Sequence, residues 1–260
     1  AKTLFDGAEH SLEEVYAELE ADKVPKGFEL PGTVSLSKQS THEVVSSPNV
    51  VGMLEGSDPT LKNEYVVFSA HSDHIGFAKT VKKDNINNGA MDNASGTAVM
   101  LETARLFSEL PEKPARSILF VSVTGEEKGL YGSRYYAENP IFPIANTVAD
   151  LNIDMIGRVD DAHKDNENYI YLIGSDKLST ELDSISTAVN NKYMNIDLDY
   201  TYNDENDPNR FYYRSDHYNF AKQGVPIIFY FNGTHEDYHR VSDTPDKINY
   251  PMLAKRAQLV

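Results

Sequence analysis

The stretch SILFVSVTGEEKGLYGS, residues 117–133, combines the features that decide both the fold and the chemistry of this chain. Its first seven residues are mostly apolar and rich in β-branched side chains, which is typical of a strand buried inside a sheet. Gly125 then permits a turn that places Glu126 and Glu127 side by side before a predicted helix at 129–138. Because adjacent carboxylates repel each other, the pair indicates either a solvated loop or a site in which one carboxylate binds a metal ion and its neighbour moves a proton.

Strands and helices alternate along most of the remaining chain. Short apolar runs bounded by turn residues predict buried strands, and longer amphipathic runs predict helices. This alternation predicts an α/β fold with a mixed, mostly parallel central sheet and helices on both faces. The predicted strands are 64–70, 117–123, 148–156, 168–174 and 225–231, preceded by an antiparallel pair at 42–47 and 49–56. The predicted helices are 11–23 (opened by a capping box of Ser11 and Glu14), 95–109, 129–138, 179–191, 215–224 (capped by Ser215) and one from near Pro251.

Composition narrows the classes of function. The 260 residues include 24 Lys+Arg and 40 Asp+Glu, so the formal net charge is −16. A field of this sign repels nucleic acid and anionic membranes, so neither is an expected partner. No apolar run approaches the roughly 18 residues that span a bilayer. The sequence has no cysteine, so any metal ion must be bound by His, Asp and Glu, a ligand set that suits zinc, manganese, magnesium or calcium.

The residues just after the predicted strands are the best candidates for a site, because ligands of open α/β sheets bind beyond the carboxyl ends of the strands. Each of these residues can bind a metal ion or support a ligand. They are His71 and Asp73 after the first buried strand, Glu126 and Glu127 after the second, Asp154 at the end of the third and His239 after the last, with Asp92 in a loop on the same rim.

Each candidate has a structural explanation as well as a functional one. Asp73 follows His71 by two residues, so in extended chain its carboxylate can accept a hydrogen bond from the imidazole, as partners of metal-bound histidines do. Asp92 precedes a helix and can stabilise its N-terminus. Asp154 lies among apolar residues and needs a partner there: a metal ion, Arg158 or a hydrogen-bond network. Nearby His74 is interpreted as structural.

Two other motifs are interpreted as incidental. HEDYH, residues 235–239, fits the helical H-E-x-x-H zinc motif, but NGT before it and SDTP after it leave no room for a long helix. The acidic stretches VDDAHKDNENY and DYTYNDENDPN lack the spacing and the glycine of an EF-hand loop, so they are interpreted as solvated charge.

As an ordered set, the motifs resemble one family. They are H-x-D at 71–73, D-N-x-S-G at 92–96, E-E at 126–127, D-M-I-G at 154–157 and Y-H-x-x-x-D-T-x-D at 238–246. The set is similar to that of the co-catalytic dizinc aminopeptidases, relatives of bacterial leucyl aminopeptidases and of glutamate carboxypeptidase II. The match runs from about residue 45 to the C-terminus and implies the zinc aminopeptidase (phosphorylase/hydrolase-like) fold for residues 41–260.

The resemblance implies a role for each candidate. Two zinc ions would activate a water, and the substrates would be peptides with a free N-terminus. In such relatives the peptide bond after the bridging aspartate is often cis. The implied roles are His71 and Asp154 on one zinc, Glu127 and His239 on the other, Asp92 bridging both, Glu126 as general base, Asp73 orienting His71, and Tyr238 steadying the oxyanion.

Residues 1–40 carry a separate resemblance. LFDGAEHSLEEVY and KGFELPGTVSLSKQS look like the segment where members with a protease-associated insert return to the catalytic domain. We therefore expect a remnant of such an insert at 1–40. That resemblance also implies a secreted or periplasmic protein. Because the sequence starts at Ala1 and ends inside a predicted helix, we expect that it is a processed or shortened form of a longer one.

Other interpretations stay open at this point. A glutaminyl cyclase uses a related sheet with a single zinc ion, and dipeptidases and carboxypeptidases use the same ligands. Relatives similar to the transferrin receptor have lost ligands and act as non-catalytic binding modules. The complete set of five ligands and a base favours two metal ions and hydrolysis.

Overall fold

Seven strands form the central sheet of the computed structural model, which describes residues 2–81 and 83–260. Four of its six neighbouring pairs are parallel, and an antiparallel pair lies towards each edge. The predicted mixed, mostly parallel sheet is therefore confirmed. In spatial order the strands are β1 (Val50–Leu54), β5 (Ser117–Val123), β2 (Tyr65–His71), β6 (Thr147–Ile153), β9 (Ile227–Phe231), β7 (Tyr169–Ile173) and β8 (Asp197–Asp199).

A small separate sheet pairs β3 (Phe77–Val81) with β4 (Asp84–Ile86) in antiparallel fashion. The predicted helix at 95–109 is present with those bounds. In the described ranges no helix combines the length and the apolar character needed to cross a membrane. The helices are α1 (Leu12–Glu20), α2 (Ser95–Glu109), α3 (Tyr131–Glu138), α4 (Thr180–Val189), α5 (His217–Ala221) and α6 (Tyr250–Leu259).

The chain divides into two units, Ala1–Val45 and Ser46–Val260. In the first unit α1 begins with the predicted capping box. Ser11 Oγ accepts a hydrogen bond from the Glu14 backbone at 3.2 Å, and the Ser11 backbone donates to Glu14 Oε2 at 2.7 Å. These two bonds satisfy amide groups that the first turn of a helix otherwise leaves free.

The predicted antiparallel pair at 42–47 and 49–56 is wrong. Residues 42–47 form no strand, and β1 pairs instead with β5, with Val51 opposite Val121. The side chains of Val44 and Val45 are 94% and 84% exposed. Apolar side chains alone therefore do not make these residues a strand, because no second apolar surface covers them.

The core lies on both faces of the sheet because successive side chains of a strand point to opposite sides. Phe68 and Phe120 stack at 5.5 Å on the face that α2 and α6 cover. Val67 and Leu119, one residue earlier on the same strands, pack with α3 and α5 on the other face. The sheet is thus buried between helices, as the sequence predicted.

Arg256 of α6 anchors the last helix to the sheet. It is fully buried and donates to four backbone carbonyls at 2.9–3.1 Å, those of Ile156, Arg158, Glu167 and Tyr169. Two of these carbonyls follow β6 and two lie at the start of β7. Arg256 therefore holds together the segments that leave and enter the centre of the sheet.

Replacing Arg256 with methionine is expected to lower the free energy of unfolding by about 3 kcal/mol, because buried carbonyls lose their donors and each unsatisfied group costs about 1–3 kcal/mol. Urea unfolding followed by circular dichroism measures the loss. Arg105→Met is the matched control, since Arg105 lies on the exposed side of α2 and pairs with exposed Glu102 and Glu109. An equal loss in both variants would contradict the anchoring role.

Candidate metal centre

The predicted site residues meet at one edge of the sheet. Strands β5, β2, β6 and β9 are parallel neighbours, so their carboxyl ends lie side by side. His71 is the last residue of β2, and Asp154 directly follows β6. The turn with Glu126 and Glu127 follows β5, and the loop with His239 follows β9.

The first group of potential ligands consists of His71, Asp92 and Asp154, all buried. His71 Nε2 lies 3.2 Å from Asp92 Oδ1 and 3.4 Å from Asp154 Oδ1. The other ring nitrogen, Nδ1, is 3.0 Å from the backbone carbonyl of Asp73. A carbonyl can only accept, so Nδ1 carries a hydrogen, and Nε2, which faces the two carboxylates, is the nitrogen available to a cation.

The second group lies around the other oxygen of the same aspartate. His239 Nε2 is 3.1 Å from Asp92 Oδ2 and 3.1 Å from Glu127 Oε2. His74 Nδ1 is 2.6 Å from Glu127 Oε1, and His74, Asp92 and Glu127 could together hold a metal ion. Asp92 therefore contributes one oxygen to each group.

His74 is the residue that the sequence interpretation missed. A purely structural role for His74 is too narrow, because its imidazole contacts Glu127 and its ring lies edge-on to that of His239, with 5.5 Å between centroids. Its position three residues after His71, in the same segment, is the signal that could have identified it.

Both groups fit a divalent cation. The atoms that converge, including His71 Nε2, Asp154 Oδ1, Glu127 Oε1 and His239 Nε2, are buried and have no hydrogen-bond partner of acceptable geometry among the described residues. Native proteins rarely leave buried polar atoms in this condition. Two ligand atoms at about 2.0–2.2 Å from a tetrahedral zinc ion lie about 3.3–3.6 Å apart, close to the 3.1–3.4 Å separations between most of these atoms.

Glu126 and Glu127 have opposite electrostatic environments. Burial, reinforced by the charges of Asp154, Asp216 and Asp92, raises the pKa of Glu126 to about 10, although His71 acts against it. Burial also acts to raise the pKa of Glu127, but the close imidazoles of His239 and His74 outweigh it and lower that pKa. Titratable neighbours whose environments separate their pKa values in this way are typical of an acid–base site. A cation among the carboxylates would oppose the shift of Glu126.

The histidines respond to the same carboxylates. The close carboxylates of Asp92 and Glu127 raise the pKa of His239 to about 9. Burial lowers the pKa of His71, but Asp154 and Asp92 outweigh it and raise that pKa well above its usual value. The carboxylates thus create a strongly negative pocket that favours cations of either kind, protons or metal ions.

Asp73 contacts His71 as predicted, but through its backbone carbonyl and not through its carboxylate. Its closer oxygen is 3.8 Å from His71 Nδ1, too far for a hydrogen bond, and the backbone carbonyl of Asp73 takes that place. The carboxylate instead accepts from the backbone amides of Glu126 and Glu127, at 3.1 and 3.4 Å. Asp73 therefore positions both the His71 ring and the double-glutamate turn.

Ser215 supports Asp154 and does not cap a helix. The predicted cap is wrong, because α5 begins at His217 with Asp216 at its N-cap position. Ser215 Oγ donates to Asp154 Oδ2 at 2.7 Å and accepts from Asn152 Nδ2 at 2.8 Å. Among the alternatives for Asp154, the hydrogen-bond network is thus present. Arg158, the other protein partner considered, bonds to Asp237 at 2.8 Å.

The loop that carries Asp92 is held by hydrogen bonds of the next residue, Asn93, to β6, to α2 and to the residues after β6. The Asp92–Asn93 peptide bond is cis, as the resemblance implied. Asn93 donates to the carbonyl of Ile153 at 2.9 Å and accepts from the amides of Gly96 and Met155. A Cβ atom at Gly96 would lie 2.3 Å from the Ile153 carbonyl oxygen, so only glycine permits this close approach of α2 to β6.

The HEDYH stretch forms a turn, as predicted, and not a helix. His239 belongs to the second group of ligands, whereas His235 lies against Arg158, with 2.9 Å between its Nδ1 and the guanidinium. The two histidines therefore do not share one metal position.

A small cavity opens beside the two groups. Glu126 faces it without belonging to either group, and Tyr238 lines it with its ring stacked on that of His239 at 3.9 Å. The remaining described lining residues are Asp92, Asp154, Met155, Phe211, Arg214, Phe229, Phe231 and Thr234.

Comparison with known proteins places this geometry in context. The profile of the family described as "Peptidase family M28" matches residues 49–260. "Aminopeptidase NAALADL1" of Mus musculus is 34% identical over 145 residues, which is 51% of this chain and 18% of that protein. A "Probable zinc metalloprotease" of Pyricularia oryzae is 35% identical over 128 residues, 49% of this chain and 24% of that protein. This chain thus spans less than a quarter of the length of either relative.

Solved structures share the fold. BSAP, "a zinc aminopeptidase from Bacillus subtilis", superposes with a TM-score of 0.63 at 23% identity, covering 81% of this chain and 47% of that one. Porphyromonas gingivalis glutaminyl cyclase superposes with a TM-score of 0.61 at 18% identity, covering 81% of this chain and 74% of that one. The α/β fold predicted from the sequence is confirmed.

Proposed function

The chain belongs to peptidase family M28, and from that membership and the geometry of the site we propose that it is a zinc-dependent aminopeptidase. One observation carries the proposal. The carboxylate of Asp92 presents one oxygen to each of two histidine–carboxylate groups, while Glu126, which belongs to neither, faces the same cavity.

The proposed metal ligands follow the two groups. His71, Asp92 and Asp154 would hold one zinc ion, and Asp92, Glu127 and His239 the other. When bound, two such ions lower the pKa of a water, polarise the scissile carbonyl and stabilise negative charge that develops on it. We assign His74 to the support of Glu127, because its Nδ1 lies 2.6 Å from Oε1 of that residue.

The side chains of this protein would perform the proton transfers. Glu126 takes a proton from the attacking water and passes it to the leaving amine. The Tyr238 hydroxyl, in the same cavity, donates to the oxygen of the carbonyl under attack. Asp73 acts through Glu126 and His71, since it accepts a hydrogen bond from the backbone of the first and positions the ring of the second.

Aminopeptidase action follows from the charge of the cavity. Asp92, Glu126 and Asp154 line it, so it attracts the cationic α-amine of a peptide and places the first peptide bond beside the site. A dipeptidase or carboxypeptidase would use the same ligands. The fold also supports a glutaminyl cyclase in a solved relative, but two groups around one aspartate favour two ions and hydrolysis.

Hydrolysis of free amino-acid p-nitroanilides, but not of their N-acetylated counterparts, is the expected result for the purified protein, with about two zinc ions per chain by mass spectrometry. Chelation removes both activity and metal, and added zinc restores them. Turnover of N-acetylated substrates would contradict an exopeptidase that needs a free N-terminus. Zinc-replete protein without turnover would direct the assays to cyclase and dipeptidase substrates, and metal-free, inert protein would favour a binding module.

Two further parts of the proposal concern the rest of the chain. We propose that residues 1–40 are the remnant of a protease-associated insert and that the protein is exported, both on the resemblance of that segment. Detection of the activity in the medium or periplasm of the producing cells, and not in their cytoplasm, tests the second part.

A further inference from the structure

Arg214 is the only cationic residue among the described residues that line the cavity beside the metal centre. We propose that it binds a carboxylate of the substrate, so that the enzyme prefers peptides with an anionic group close to the scissile bond. This inference rests on the proposed aminopeptidase function and names the substrate class of the same site.

The guanidinium of Arg214 has no carboxylate within 4.0 Å among the described residues. By contrast, Arg105, Arg116 and Arg158 each bind a carboxylate at 2.6–2.9 Å. In a chain with 40 acidic residues, an arginine that faces a binding cavity without an acidic partner is available for an anion from outside.

An aromatic ring holds the side chain in a useful orientation. The guanidinium carbon lies 4.9 Å from the centroid of the Phe211 ring, and Phe211 is itself buried and lines the same cavity. A cation–π contact of this kind restrains the guanidinium but uses none of its N–H donors. The fork can therefore still bind the two oxygens of a carboxylate together.

The backbone fixes the base of the side chain relative to the metal centre. The amide of Arg214 donates to the carbonyl of Phe211 at 3.0 Å. The next residue, Ser215, is buried and donates to Asp154 at 2.7 Å. Arg214 is thus one residue away from a contact with a proposed ligand, while its own side chain is exposed to incoming substrate.

The cavity therefore presents charges of both signs to one substrate. The carboxylates of Asp92, Glu126 and Asp154 suit an α-amine, and Arg214 suits an anion. Two sources supply such an anion near an N-terminus: the side chain of an N-terminal glutamate or aspartate, and the C-terminal carboxylate of a dipeptide. Both offer the same planar group to the guanidinium.

The test compares substrates that differ only in this charge. The first arm measures kcat/KM for glutamyl and glutaminyl p-nitroanilides, and the second for Leu-Gly and Leu-Gly amide. The proteins are the wild type, Arg214→Met, Arg214→Lys and Arg210→Met. Arg210 is the matched control, because it stacks on Tyr213 at 4.8 Å and lines a different cavity.

Arg214→Met is expected to lower the acidic-to-neutral ratio of kcat/KM about tenfold in one arm, the low end for a hydrogen bond to a charged group because the site is exposed. Arg214→Lys is expected to lower this ratio less than Arg214→Met does, since lysine retains the positive charge but not the paired N–H donors of the guanidinium. Arg210→Met leaves both ratios unchanged. A general loss of structure lowers both members of a pair and does not move their ratio.

The substrate pair whose kcat/KM ratio falls in Arg214→Met identifies the source of the carboxylate. A wild type that cleaves the neutral substrates, with ratios that Arg214→Met does not change, overturns the role of Arg214 and leaves the aminopeptidase function in place. A wild type that cleaves no substrate of either arm overturns the proposed function, and the role of Arg214 with it.

Discussion

Replacing Glu126 with glutamine is expected to lower kcat by roughly 10²–10⁴-fold, the usual contribution of a general acid–base group, while the protein keeps about two zinc ions per chain. Glutamine has the shape of glutamate but cannot take a proton from the attacking water. Glu126 belongs to neither ligand group and faces the cavity. The change therefore removes proton transfer and leaves the groups around Asp92 intact.

Steady-state kinetics with a free amino-acid anilide and metal analysis of the same samples provide the measurement. Glu236→Gln is the matched control, because that glutamate is 72% exposed and pairs with Arg158 outside the cavity. Its kcat is expected to stay within about twofold of the wild type, as for most changes at exposed positions. If the Glu126→Gln variant loses metal along with activity, Glu126 is a ligand and its assignment as the general base is wrong.

Alanine in place of His71 is expected to reduce the bound zinc from about two ions per chain to one or fewer and to lower turnover by roughly 10³-fold. A Lewis acid stabilises the transition state by several kcal/mol, and each 1.36 kcal/mol corresponds to a factor of ten in rate. His71 is the only imidazole in the first group. Its loss leaves that metal position with carboxylates from Asp92 and Asp154 alone.

His235→Ala is the comparison that separates the two possible zinc motifs. In the H-E-x-x-H interpretation His235 is a ligand, whereas the structure places it against Arg158. We expect this variant to keep both zinc ions and most of its activity. Mass spectrometry of the metal content is decisive: loss of zinc from His235→Ala with retention in His71→Ala reverses the assignment.

The sequence predicted most of the sheet and the residues of the site for one physical reason. Buried strands such as 117–123 need continuous apolar runs, and the residues that follow parallel strands necessarily meet at one edge. His71, Glu127 and Asp154 could thus be grouped before any coordinates. Their separation in sequence did not matter, because the order of strands brought them together.

The predictions that proved wrong concern residues whose contacts lie far away along the chain. Val44 and Val45 have strand-forming side chains but no surface to cover them. Ser215 precedes a helix as a cap would, yet its hydroxyl donates to Asp154 and accepts from Asn152 instead of from a helix amide. The carboxylate of Asp73 bonds to two amides 53 and 54 residues away. Each of these outcomes depends on tertiary neighbours, which spacing along the chain does not specify.

The Arg256 anchor has a consequence for the order of events during protein synthesis. During translation His71 emerges before His239, and His239 before Arg256, which holds the carbonyl of Ile156 just beyond Asp154. A ribosome-bound chain that ends before Arg256 lacks the contact that fixes this wall of the site. The candidate metal centre is therefore completed only after Arg256 has left the ribosome, so nascent chains that end before this residue are expected to lack a finished site.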